Sequence, residues 1–278
     1  MKSIINLGEI TKPVTKLIES VSSAIGGLYE PTRIRKRARA ERDAAIIKAE
    51  GDIEIQDMAY RASVRLNNRE LKRQKHIEAI IRNAAQQLPE KVSEEKVDDD
   101  WISQFFNYCQ DVSNEDMQLI WGKLLAGEVS EPGSFSILTL NTVRMLRATD
   151  AILFKTLCRY IWNGAFHIVS GETDNYLRTV GIHWSQFLHL ESLGLISVKE
   201  SMLYIKGDKT MTYFDKMYQI SCTAETLDRY IPNRVLMNVG IELANIVECE
   251  PDEEYLNLCL KLFEENGLQA VEVVRNNE

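Results

Sequence analysis

The sequence predicts a mainly α-helical protein: a long N-terminal helical arm, then a helical body with a winged-helix-like α+β C-terminal subdomain. Three observations carry this reading. Apolar side chains recur every three or four residues between positions 4 and 28. No proline occurs from Thr32 to Leu88, a stretch dominated by helix formers. Beyond a helical pattern ending at Gly194, short alternating runs take over.

The first element, within residues 1–30, is an amphipathic helix. Val14, Leu17, Ile18, Val21, Ile25 and Leu28 share one face, with Thr, Lys, Glu and Ser opposite. Gly26-Gly27 and Pro31 end it. The arm, residues 31–88, opens with the cationic run Arg33, Arg35, Lys36, Arg37, Arg39 and Arg42. Behind it Ala44, Ile47, Ile55, Met58 and Ala62 recur as a weak coiled-coil seam of small residues. A helix of this kind needs partners, because most helix stability comes from a buried face.

Residues 89–100 read as an acidic linker ending in Asp98-Asp99-Asp100, solvated charge rather than a cation site. In the body, residues 101–180, helices are expected around Trp101–Cys109 and from Asn114 to Glu128, with Ser113 or Asn114 as cap. Two more are divided near Ala148-Thr149-Asp150, where Thr149 or Asp150 is a natural cap. The last part, residues 181–278, holds a helix ending at Gly194 and a small antiparallel sheet turned at Gly207-Asp208. A helix from Asp252 to about Glu265 and a final strand complete it. Trp121, Trp162 and Trp184 are expected as core anchors.

Charge is unevenly placed. Residues 1–85 hold 17 Lys/Arg and 11 Asp/Glu, whereas the remainder holds 16 and 30. A basic arm therefore precedes an acidic body, which favours phosphate-rich or anionic partners for the arm. The five cysteines are scattered, with no CxxC pair, as in a reduced cytoplasmic protein. No run of apolar residues is long enough to span a bilayer, and no signal peptide is evident.

No catalytic constellation, metal-ligand spacing or cofactor fingerprint emerges: GxxxxGK[ST], GxGxxG, GxSxG and HExxH are all missing. Cys158 and His167 read as core. The helix carrying His183, Gln186, His189 and Glu191 lacks the Lys or Arg of a DNA-reading helix.

The segments "LYEPTRIRKRARAERDAAIIKAEGDIEIQDMAYRA" and "EDMQLIWGKLLAGEVSEPGSFSILTLNTVRML" resemble a bacterial family catalogued as a domain of unknown function, number twenty-eight hundred and six. The likeness runs from about residue 25 to 225. More loosely, "DMQLIWGKLLAGE", "LRATDAILFKTL" and "FLHLESLGLIS" are similar to the abortive-infection alpha proteins, which implies a phage-defence setting but supplies no catalytic residues.

The expectation is a non-enzymatic, cofactor-free homo-oligomer, cytoplasmic or peripheral on the inner membrane, with no small-molecule substrate. Val14 to Leu28 would insert at an anionic membrane surface while Arg33 to Arg42 hold headgroups. The alternative is nucleic-acid binding by the same arginines with the winged-helix-like subdomain.

Overall fold

The computed structural model describes residues 11–25, 53–222 and 229–273. Among these, ten helices and two small antiparallel sheets make an α-rich α+β protein. The chain divides into two compact units, residues 1–140 and 141–278, and the 89–100 linker lies inside the first.

The first unit is built from α1 (Lys12–Ile25), α2 (Ile53–Gln87), α3 (Asp99–Cys109) and α4 (Glu115–Ser130). Asp98 starts α3 by accepting from the backbone N–H groups of Asp100 and Trp101, so the triple aspartate is a helix cap. Asn114 does the same for α4 through the Met117 N–H. The core centres on Phe105, stacked on Trp101 and edge-on to Trp121, with centroids 5.2 Å away in both cases. Trp101 Nε1 donates to the Phe135 carbonyl at 2.7 Å. Helices α2 and α4 approach so closely that a Cβ on Gly122 would stand 2.6 Å from Asn83 Cβ. Glu128, fully buried at the end of α4, accepts from the N–H groups of Gly133 and Phe135 and so shapes the following turn.

Helix α5 (Ile137–Met145) precedes α6 (Ala148–Cys158). The cap of α6 is Arg147, not Thr149 or Asp150. Asp150 sits one turn in and accepts from the Arg147 N–H at 2.9 Å. The second unit continues with β1 (Phe166–Ile168), α7 (Gly171–Thr179), α8 (Trp184–Ser192), β2 (Ser201–Ile205), β3 (Lys209–Tyr213), β4 (Lys216–Cys222), β5 (Arg229–Val235), α9 (Asn238–Ala244), α10 (Glu253–Glu265) and β6 (Leu268–Glu272).

The sheet differs from the expectation. β2 and β3 flank Gly207-Asp208, yet they do not pair with each other. One sheet has the order β1-β5-β2 and the other β3-β4-β6. The tight hairpin falls instead at Phe214-Asp215, between Tyr213 and Lys216, where Phe214 takes φ +55°. Gly207, at φ +62°, steers the chain from one sheet to the other. Trp162, Tyr213, Tyr255 and Phe263 form an aromatic core, and the Tyr255 hydroxyl accepts from Ile168 N at 2.9 Å. Asp252 caps α10 and also receives Tyr176 OH at 2.9 Å and Arg159 Nη2 at 3.2 Å.

Candidate interaction surfaces

Helix α1 lies on its own unit. Val14, Leu17 and Val21 are buried, with α1 packed on α3 and α4; Ile18 and Ile25 are half-buried. The face assigned by sequence to a membrane is therefore covered by neighbouring helices, and Leu28 lies outside the described residues. Lys16 fastens the arrangement, donating to the carbonyls of Ser93 at 2.7 Å and Val129 at 2.8 Å. Partial burial lowers its pKa, against the opposing pull of Glu94 and Glu95.

The cationic run Arg33, Arg35, Lys36, Arg37, Arg39 and Arg42 also lies outside the described residues, as do Ala44 and Ile47. The rest of the seam is visible and open: Ile55 is 53% exposed, Met58 63%, and Ala62 is exposed as well. Helix α2 changes environment along its length. Ile77, Ile80, Ile81 and Ala84 are buried in the core of the first unit. At 3.6 residues per turn, Ile55, Ala62 and Leu66 fall on the same side as Ile80 and Ala84. This side of the helix is thus apolar at both ends, covered at the C-terminal end and open at the N-terminal end, with Arg69 and Arg73 between. Where the two regimes meet, Arg73 makes a two-pronged contact with Asp111, at 2.7 and 2.8 Å. Sequence reasoning found the seam but not its continuation into the core.

In the second unit α8 presents Trp184, 52% exposed, and Leu188, together with Ser185, His189 and Ser192. Trp184 is therefore a surface residue, not the core anchor expected. His189 Nε2 pairs with Asp150 at 2.9 Å, and Glu191 accepts from Val198 N at 2.8 Å. Gln186 is turned back to the His183 N–H at the start of the helix. No Lys or Arg stands on this face.

Beneath α8 lies a feature the sequence did not disclose. Arg234 of β5 is 4% exposed and grips Asp174 of α7 with both terminal nitrogens, at 3.0 and 3.2 Å. It also reaches Glu200 at 3.3 Å, and its guanidinium carbon lies 5.3 Å from the Trp184 ring and 5.1 Å from Phe187. Two carboxylates and two aromatic faces compensate the buried charge. His167, opposite Arg234 on β1, stacks on Phe187 with centroids 5.1 Å apart. Burial first, and Arg234 second, push its pKa down to about 3, so it is neutral. Arg234 is thus a tie joining α7, α8, β1 and the lead-in to β2, and it fixes the surface that α8 presents.

Cys109, Cys158 and Cys259 are buried, and burial pushes all three thiols up, Cys259 to about 12. No group of three or more His, Cys, Asp or Glu residues could hold a metal ion among the described residues. No helix among them is long and apolar enough to cross a membrane.

Residues 60–260 match the family described as "Protein of unknown function (DUF2806)", and the chain belongs to that family. No curated protein and no solved structure matches it.

Proposed function

From that membership and the surfaces above, we propose that this chain is a non-enzymatic interaction protein that self-assembles along the N-terminal half of α2. The observation supporting this most directly is the apolar stripe that resumes in the open beyond Arg69 and Arg73. Ile55, Met58 and Leu66 remain in water on a helix of 35 residues whose other end is packed. Covering such side chains contributes roughly 1–2 kcal/mol each, twice over in a symmetric pair. That gross gain must exceed the several kcal/mol lost on association. The sequence seam continues through Ala44 and Ile47 and lengthens the contact.

The second unit reads as a winged-helix module. The order α6, β1, α7, α8, β2 and, after β3 and β4 of the other sheet, β5, with β5 between β1 and β2, supports that reading, in which α8 takes the recognition-helix place. Its Trp184 and Leu188 suit a protein partner better than base edges, and nucleic-acid binding through the arm arginines is the alternative. Phage defence is the setting in which such an assembly fits the distant likeness to abortive-infection alpha proteins. Membrane insertion by α1 is not part of this reading, because its apolar face is occupied.

Light scattering on the full chain tests the proposal. The wild type is expected at a multiple of the single-chain mass, and the Ile55→Glu/Met58→Glu variant at the mass of one chain. Equal masses for the two proteins would remove α2 from assembly.

A further inference from the structure

A face of α2 about 100° round from the apolar stripe carries a second pattern. Arg61, Arg65, Asn68, Lys72 and Lys75 follow one another at intervals of four, three, four and three residues, which keeps them in one line along a helix. At 1.5 Å per residue the line is about 21 Å long. All four cations are exposed, and Tyr60 and Val64 flank them, bordering one open groove with Arg61, Arg65 and Lys72. Arg61 pairs with Asp57, but Arg65, Lys72 and Lys75 make no ion pair with any described residue. The acids nearby are engaged elsewhere: Glu70 with Arg69 and Arg73, Glu78 with Gln74.

Like charges one turn apart destabilise a helix, so this line is a cost to the free chain. A polyanion laid along it converts the cost into attraction, by neutralising phosphates and releasing their counterions. The geometry points to a sequence-independent nucleic-acid site on α2, in which Arg61, Arg65, Lys72 and Lys75 hold successive phosphates and Tyr60 offers a ring for stacking. Several features favour a nucleic-acid strand over a lipid surface. A helix lying in a bilayer interface needs its cations beside a broad apolar face. Here the apolar stripe that adjoins the cations, with Met58 one turn before Arg61, is the surface that assembly covers, and Tyr60 and Val64 are the large apolar residues on their other flank. Along the axis about 6 Å separates Arg61 from Arg65 and about 4.5 Å separates Lys72 from Lys75, of the order of the step between phosphates along a strand, with a gap of about 10.5 Å across Asn68. No base-reading contact is implied, so the site discriminates nucleic acid from other anions, not one sequence from another. The preference for a strand rests on the assembly reading, and the light-scattering mass of the variant below separates loss of this site from loss of assembly.

The test uses the full chain, a labelled single-stranded oligonucleotide longer than the line, and phosphatidylserine vesicles. The wild type is expected to bind the oligonucleotide with an affinity that falls linearly on a log–log salt plot. Arg65→Gln/Lys72→Gln removes two exposed charges, leaves the light-scattering mass unchanged, and reduces the slope by about 1.5 and the low-salt affinity at least about tenfold. Any of three results overturns the inference: no oligonucleotide binding by the wild type, unchanged binding by the variant, or vesicle binding stronger than oligonucleotide binding with the same loss in the variant. The second result would return nucleic-acid binding to the Arg33–Arg42 run. Circular dichroism of the variant confirms that exposed substitutions leave the helix intact.

Discussion

Acidification tests the tie around Arg234 through His167. A histidine free in an unfolded chain titrates near 6.5, whereas His167, buried against Phe187 and beside the Arg234 guanidinium, is held down to about 3. Between those values the unfolded chain takes up a proton that the folded chain refuses. Stability from this group is therefore complete above pH 6.5 and declines as pH falls, by about 1.4 kcal/mol per unit, until it levels off near pH 3. At pH 4.5 the loss is on the order of 3 kcal/mol. Asp174 opposes part of it by favouring the charged ring. Urea unfolding at pH 7.5 and 4.5, read by pulsed hydrogen exchange in the β1 and β5 peptides, measures the effect. The comparison is with His167→Phe, which keeps a ring against Phe187 but cannot titrate. The wild type should lose more stability than the variant between the two pH values, by about 2–3 kcal/mol. Equal losses would mean that His167 takes up its proton without unfolding the tie, and the account of a locked, neutral imidazole would be refuted.

Other substitutions probe close contacts. Gly240→Ala places a methyl group 2.0 Å from the Leu195 carbonyl oxygen, and the backbone must shift to admit it. The melting temperature of the second unit should fall by several degrees, since overpacking costs about 1–3 kcal/mol or more. Gly122→Ala gains helix propensity worth up to about 1 kcal/mol yet crowds Asn83 Cβ and the Ala84 backbone, so calorimetry should show a net loss. Glu128→Ala strips the N–H groups of Gly133 and Phe135 of their side-chain acceptor, and chemical denaturation should register roughly 3 kcal/mol of destabilisation in the first unit. Arg73→Ala leaves Asp111 without its two-pronged partner; because Asp111 is largely exposed and regains water, a loss of no more than about 1 kcal/mol is expected by the same method.

The parts legible in the sequence were those with local signals. Asn114 before an acidic first turn marks α4, and Asp252 marks α10 in the same way. The open stripe on α2 was visible as spacing alone. Strand pairing was not, because β5 contains Pro232, which argues against a central strand. The structure places Pro232 there opposite Met202, and its carbonyl accepts from Val169 N at 2.9 Å. Three-residue β1 is too short for any periodicity, although Ser170 ahead of Glu172 and Asp174 was a readable start for α7. Arg234 could not have been singled out, since only the fold brings Asp174, Glu200 and two aromatic rings to one basic residue. The same holds for Trp184, whose size suggested the interior while its position on α8 turned it outward.

The strand order of the second sheet bears on how the chain acquires its structure during synthesis. β6 is paired with β4, Leu268 lying opposite Cys222 and Glu272 opposite Tyr218, some fifty residues earlier. Phe263, on the helix just before it, completes the aromatic core around Trp162. The second unit therefore cannot close while residues 253–272 are still in the ribosomal tunnel, whereas α1 to α4 can pack beforehand. Until release, β4 and the hairpin it forms with β3 offer an unpaired edge, the period in which a nascent chain is most exposed to association with its neighbours.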